Sequence, residues 1–276
     1  MSLATLTHPG PAAAERWAIA RCQATPIEVT LPLADTLTAS VAHALSDFDG
    51  GWLVIEDAPL ANLDFLIPGE DPSGAHAAWY AGPHQMGAGK IRQLGLHFGC
   101  KDGAPWLHGH GSFSAPDWQG PSFGHILPNE SRLAHPIRAR GWGLKGARLE
   151  VTPDTETNFP LFQPVKTVSH PAENAALVTL RPNQDLCSAL TAAAKSSGMT
   201  QARVYGLGSL IHPRLTGQPP IDSYATEILL TSGKLANGSA EIDAEIVTLK
   251  GSTHKGRLTP GQNPICITAE LLLVAP

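Results

Sequence analysis

IEVTLPLADTLTASVAHALSDFDGGWL (residues 27–53) and LVTLRPNQDLCSALTAAAKSSGMTQA (residues 177–202) share one plan. Each stretch begins with a short alternating strand and continues, after an acidic residue, into a helix with one apolar face. Asp35 and Asp185 lie near the predicted helix N-termini, where carboxylates are favoured. A glycine then ends each helix before a new β-rich run. The sequence therefore predicts a strand–helix–strand opening that is used twice.

After each helix, the remaining sequence has the pattern of strands and turns. We expect an α+β fold made of two tandem domains, each a mainly antiparallel sheet with one long helix. The predicted parts are an N-terminal extension (residues 1–26), a first domain (27–151), a proline-rich linker (152–174) and a second domain (175–276).

Composition narrows the class of protein. With 276 residues, 42% hydrophobic and 16% charged, the chain can bury a core, and it is neither a disordered chain nor a coiled coil. The longest apolar stretches, such as residues 270–276, are far shorter than the roughly 20 residues of a membrane span. The four cysteines are isolated, and the first residues do not have the pattern of a signal peptide. We expect a cytoplasmic protein without membrane contact.

The twelve histidines are concentrated before residue 171. His108 and His110 alternate on a predicted strand, so they point to the same face about 6.6 Å apart. A neighbouring antiparallel strand can bring His125 opposite them. Three imidazoles with an open fourth position are typical of a catalytic zinc site. The alternative is that the three are ordinary histidines satisfied by hydrogen bonds.

The other histidines of this region are weaker candidates. We do not expect His43, His76, His84 or His135 to bind a metal, because they lie on a helix, in a loop or at a strand entry. His97 is more typical of a packed strand histidine.

These features resemble the PCC domain (plants-and-prokaryotes-conserved, also called PPC). The resemblance lies in the strand–helix opening, in VYGLGSL at residues 204–210 and in the histidine strands, and the segment DTETNF (154–159) is similar to the tail of bacterial members. Residues 256–258 (GRL) stand where the first copy has GHI at 124–126. The domain is thus expected twice, over most of the chain.

The resemblance implies an antiparallel sheet flanked by helix, and trimeric assembly with pockets near subunit boundaries. It implies a metal site, with zinc as the expected ion, at His108, His110 and His125. The family often carries a DNA-binding label by extension from plant members with AT-hook segments, and no Arg-Gly-Arg-Pro hook is present in this sequence. We therefore expect a homotrimer that binds a metal and accepts a small-molecule ligand.

The second copy departs from the pattern at the metal site. Asp243 and Glu245 align with the two histidines of the first strand, and Arg257 aligns with the third. Arginine stays protonated and cannot coordinate a metal, so these residues predict an ion pair. We expect metal in the first copy only.

Several side chains are candidates to act beside the metal. Glu130 is the preferred catalytic carboxylate, as general base or as an orienting partner of a histidine, and a solvated loop carboxylate is the alternative. Asp117 lies between the two histidine strands. Tyr80, Lys90 and Arg92 are within reach of an anionic substrate if the sheet brings them there.

A basic run holds Arg132, Arg138, Arg140, Lys145 and Arg148. Arg138 and Arg140 share one strand face and are candidates to bind an anion or a substrate, and a solvated face paired with acids is the alternative. A net charge of −5 counts against DNA, which binds basic surfaces.

Two functions remain open. One is a metal-dependent hydrolase or lyase, or a small-molecule binding protein. The other is a DNA-binding or regulatory scaffold. Whether the protein is an enzyme is left undecided by the sequence.

Overall fold

The computed structural model describes residues 3–168, here called the first half, and residues 172–276, the second half. The strands of the first half are β1 (Trp17–Leu31), β2 (Gly50–Gly69), β3 (Trp79–Lys101), β4 (Ala104–Ser114), β5 (Phe123–Ile126), β6 (Arg132–Leu133), β7 (Ile137–Lys145), β8 (Ala147–Pro153) and β9 (Pro160–Lys166). Those of the second half are β10 (Ala175–Leu180), β11 (Ala202–Leu210), β12 (Thr226–Ala236), β13 (Ser239–Thr248), β14 (Thr253–Arg257) and β15 (Ile265–Val274). The helices are α1 (Leu37–Ala44) and α2 (Leu186–Ser196). No helix in these two ranges is long and apolar enough to cross a membrane.

The fold is a β-rich α+β fold with the same strand order in both halves. In the first half the neighbours run β1-β7-β2-β3-β4-β5, and β5 also pairs with β2, so that β2 to β5 close a ring. In the second half they run β10-β15-β11-β12-β13-β14. A helix follows the first strand of each series.

Strand β1 joins the two halves. Its residues 17–22 pair with β10, and its residues 23–31 pair with β7. The boundary predicted after residue 26 therefore falls inside this strand. The predicted linker also contains structure, because β9 lies within it and pairs with β8. Linker residues 169–171 are outside the described ranges.

Both aspartates lie near a helix N-terminus, as predicted, but only one of them is the cap. The side chain of Thr36, not Asp35, caps α1 by accepting a hydrogen bond from the Ala39 amide at 3.0 Å. Helix α1 has eight residues and ends at Ala44, well before the glycines at 50 and 51, so it is not the long helix expected. Asp185 does cap α2, as predicted, and accepts from the Ser188 amide at 2.9 Å.

The two aspartates give a matched test of helix capping. Asp185 is buried, and its second carboxylate oxygen also accepts from the Asn263 amide at 3.0 Å, whereas Asp35 is exposed. We expect Asp185→Ala to lower the free energy of unfolding by about 1–2 kcal/mol and Asp35→Ala to change it by less than about 0.5 kcal/mol. Urea unfolding measures both, and equal losses would contradict the assignment of the cap.

Strand β15 is buried on both faces, which places the second half against the first. Leu271 and Leu273 pack in the core under α2, while Leu272 and Val274 pack in the core of the first half. Side chains alternate along a strand, so Glu270 points to the same side as Leu272. Glu227 on β12 shares its side with Leu229 in the same way. Two carboxylates are thereby carried to the junction of the halves.

Gly95 allows this close approach. A Cβ atom at this position would lie 2.5 Å from Leu229 Cδ1 and 2.6 Å from the ring of Trp52. Real Cβ atoms essentially never make contacts this short, so a larger residue would force the side chain of Leu229 and the ring of Trp52 to move.

Candidate metal centre

The structure brings together the three histidines that the sequence singled out. His108 and His110 lie on the same side of β4, and His125 on β5 is paired directly with His110. One nitrogen from each ring lies within 4.8 Å of the other two. Among the residues that the structure describes, no other group of three or more potential metal ligands comes together in this way.

Hydrogen bonds orient two of the rings. His110 Nδ1 donates to the backbone oxygen of Ile228 at 2.8 Å, and His108 Nδ1 donates to Glu270 Oε2 at 2.5 Å. Each acceptor assigns the ring hydrogen to Nδ1 and leaves a lone pair on Nε2. The two Nε2 atoms face each other at 3.1 Å. Two lone pairs at this distance require a shared proton or a cation between them.

Burial keeps two of the three rings neutral. Burial, reinforced by the neighbouring imidazoles, lowers the pKa of His110 well below its usual value, and burial together with His108 lowers the pKa of His125. Both rings are therefore neutral near pH 7, and the neutral ring is the form that binds metals. His125 Nδ1 is buried without a hydrogen-bond partner in the described residues. The donor set fits a divalent metal that accepts imidazole nitrogen.

The second half adds two buried carboxylates that the sequence analysis missed. Glu270 is 1% exposed and binds His108, while Glu227 Oε2 lies 3.2 Å from His110 Nε2. Burial raises the pKa of Glu227 well above its usual value, and the nearby Glu270 adds to the effect. The available signal was a lone acid in an otherwise apolar strand, as in ATEILL (225–230) and TAELLLV (268–274).

His97 links the centre to the core. It is fully buried, donates from Nε2 to the backbone oxygen of Glu270 at 3.0 Å and packs edge-on against Trp52 with ring centroids 4.6 Å apart. Burial lowers the pKa of His97 to about 4, so the ring is neutral. It is a packed strand histidine, as the sequence indicated, and it also holds the backbone of β15 in place.

A pocket of about 310 Å³ opens over this centre between the two halves. His108 and His125 line it from the first half, and Glu227 and Glu270 line it from the second. Much of the remaining wall is aromatic and comes from Trp79, Tyr80, Trp106, Phe159 and Phe162. Its volume is at the small end of the range for ligand sites.

The other predicted site residues lie farther out. Glu130 lines the pocket as an exposed residue, and no described contact joins its carboxylate to the three histidines. Arg138 pairs with Glu28 at 3.2 Å and Arg140 with Glu56 at 2.8 Å, in both cases on the surface and outside the pocket lining.

The remaining polar candidates divide between the pocket and the surface. Tyr80 lies in the pocket wall with its ring 5.3 Å from that of His125. Lys90 and Arg92 instead face Asp57 outside the pocket, at 2.7 and 3.9 Å.

The counterpart in the second half is an ion pair. Arg257 binds both oxygens of Asp243, at 2.7 and 3.0 Å, and also contacts Glu241 at 3.3 Å. Glu245 lies opposite Lys255 rather than Arg257, so the aligned positions are shifted by two residues from those predicted.

Fold and site together define a β-rich α+β protein with a three-histidine cluster that can hold a metal at the bottom of a pocket. No protein-family model and no curated protein matches the sequence.

Solved structures similar to this chain include a plant- and prokaryote-conserved (PPC) protein from Pyrococcus horikoshii, with 14% identity and a TM-score of 0.33 over 56% of this chain and 99% of that one. A metal-containing protein from Archaeoglobus fulgidus is 15% identical, with a TM-score of 0.37 over 54% and 98%. A putative DNA-binding protein from Ralstonia eutropha JMP134 is 16% identical, with a TM-score of 0.36 over 51% and 94%. The PPC family that the sequence resembles is thus present among the structural neighbours, over about half of the chain.

Proposed function

We propose that this protein is a zinc-dependent enzyme of the hydrolase or lyase type that acts on a small molecule. The observation that carries the proposal is the pair of Nε2 atoms of His108 and His110 facing each other at 3.1 Å beside His125. Zinc takes imidazole nitrogens at about 2.0–2.1 Å, and a three-histidine set leaves one position open for a substrate or water.

The chemistry at this site is divided between the ion and the protein. Bound zinc would supply Lewis acidity, which polarises a carbonyl or lowers the pKa of a water molecule. Glu270 holds His108 in the tautomer that presents Nε2. Glu227 Oε2 lies 3.2 Å from His110 Nε2 and would exchange a proton with the reacting group, starting from the protonated form that its raised pKa favours.

We also propose that the two halves are tandem copies of one domain, with zinc in the first copy only. Their identical strand order supports this proposal.

Homotrimeric assembly stays a prediction, which light scattering tests. Residues from both halves of one chain contribute to the site, so metal binding by the single chain does not require the trimer.

Cobalt substitution tests whether the site is open. We expect the Co²⁺-loaded protein to show visible absorption bands that shift on addition of azide or cyanate, because an open position admits an external ligand. The same protein is then screened for metal-dependent cleavage of small esters, lactones and keto acids. A cobalt spectrum that no added ligand alters would indicate a closed structural site and would overturn the enzymatic proposal.

The basic run that made DNA binding an alternative is largely paired with carboxylates. Three arginines of the basic run face carboxylates, in the pairs Arg138–Glu28, Arg140–Glu56 and Arg148–Glu150. Paired surface arginines contribute little free charge to phosphate binding. An electrophoretic shift of duplex DNA that weakens with salt would restore that function.

A further inference from the structure

The side chains that line the pocket indicate which chemical group of a ligand would pack there. Phe159, Leu161 and Phe162 are buried lining residues, and Trp106 extends the apolar surface toward the mouth. Flat aromatic walls bind a planar apolar group by stacking and by burial of area. A ligand of this pocket is therefore expected to carry a ring.

A single strong cation lines the mouth. Lys101, the last residue of β3, is the one lysine or arginine among the described residues of the pocket lining. Its Nζ lies over Trp106, 4.6 Å from the ring centroid, and forms no ion pair with any residue in the described ranges. The other lysine discussed on this strand, Lys90, is neutralised by Asp57. The Lys101 ammonium is thus available to an anion.

The positions of the polar groups suggest the direction of such a ligand. Glu227 and Glu270 are buried beside the histidines, and Lys101 is the one lysine or arginine among the described lining residues. We therefore assign the anionic group of the ligand to Lys101 and its uncharged end to the side of His108. Trp106 and His108 are two residues apart on one side of β4, about 7 Å along the strand, and both line the pocket.

The type of anion follows from the donors present. A phosphate dianion is commonly held by an arginine fork or by the N-terminus of a helix. Among the described lining residues there is neither an arginine nor a residue of α1 or α2. A single ammonium matches the charge of one carboxylate.

We propose that the pocket takes a small monocarboxylic acid with an aromatic body, and that Lys101 binds its carboxylate at the mouth and sets this specificity. The inference rests on the proposed function, since it names the substrate class of the same site.

Isothermal titration of the metal-replete full-length protein tests the proposal with three matched pairs. The probes are benzoate, phenylacetate and 3-phenylpropionate, each compared with its uncharged primary amide. We expect at least one acid to bind about tenfold more tightly than its amide, which corresponds to about 1.4 kcal/mol. Lys101→Met removes the charge but keeps an unbranched side chain, and it should abolish the preference while leaving amide binding within about twofold. Lys90→Met is the control from the same strand and should behave as the wild type.

The outcomes separate this inference from the proposed function. Absence of binding by all six probes, absence of an acid preference, or a preference retained in Lys101→Met would overturn the role of Lys101. The last result would also indicate that the carboxylate binds elsewhere, for instance at the metal. Metal content is measured on the same samples, because a protein that cannot be loaded with metal contradicts the proposed function whatever the probes do.

Discussion

Replacement of His110 by alanine is expected to lower the zinc affinity at least about 100-fold, more than the effect of a carboxylate that only orients a ligand. The ring is fully buried, and its Nε2 faces both His108 and Glu227. Two imidazoles then remain, and no further histidine is found among the described residues that line the cavity. Competition with a chromophoric chelator measures the change in dissociation constant.

Because His110 is buried, its replacement can also unfold the protein, so a second variant replaces a less buried ligand. His108 is partly exposed, with 16% of its side chain accessible, and His108→Ala should also lower the affinity at least about 100-fold. His43→Ala is the matched control, because this histidine is exposed on α1. Circular dichroism confirms the fold of each variant. Wild-type zinc affinity in folded His108→Ala or His110→Ala would contradict the assignment of ligands.

Replacement of Glu270 by alanine is expected to lower the zinc affinity about 10–100-fold, the usual effect of losing a carboxylate that orients a metal-binding histidine. Glu270 is separated from His108 by 162 residues in the sequence, so the effect reports directly on the contact between the halves. Glu270→Gln should lose less, because the amide oxygen can still accept the hydrogen bond from Nδ1.

The control for Glu270 is Glu241→Gln, which removes an exposed carboxylate of the same half that contacts Arg257. It should leave the zinc affinity unchanged. If Glu241→Gln and Glu270→Ala had equal effects, the loss would reflect general charge rather than the orientation of His108.

The sequence predicted those parts of the site that depend on local strand geometry. Alternation along β4 places His108 and His110 on one side, and pairing with the next strand brings His125 opposite, an arrangement that the spacing allowed. The β-rich α+β class followed from the same alternation. Asp35 and Asp185 both lie near a helix N-terminus, as predicted, but the sequence did not show which residue caps α1, because Thr36 and Asp35 are both suitable capping residues and only the local backbone distinguishes them.

The sequence marks Glu227 and Glu270 as lone acids in apolar strands, but it could not predict how the second half docks on the first. Glu227 and Glu270 meet the histidines only because β12 and β15 pack against the first half, and no short-range pattern encodes that docking. Likewise, β1 extends through the predicted boundary to pair with strands of both halves. Periodicity identifies which face of a strand is buried, but not which distant strand covers it.

The zinc content of the full-length protein, measured by elemental analysis after purification and after dialysis against zinc, tests the three-histidine centre most directly. We predict one equivalent per chain, lost in the double variant His108→Ala with His110→Ala and retained in His43→Ala. Wild-type protein that remains free of zinc after loading, or that holds two equivalents per chain, would contradict a single metal centre formed in the first half and completed by the second.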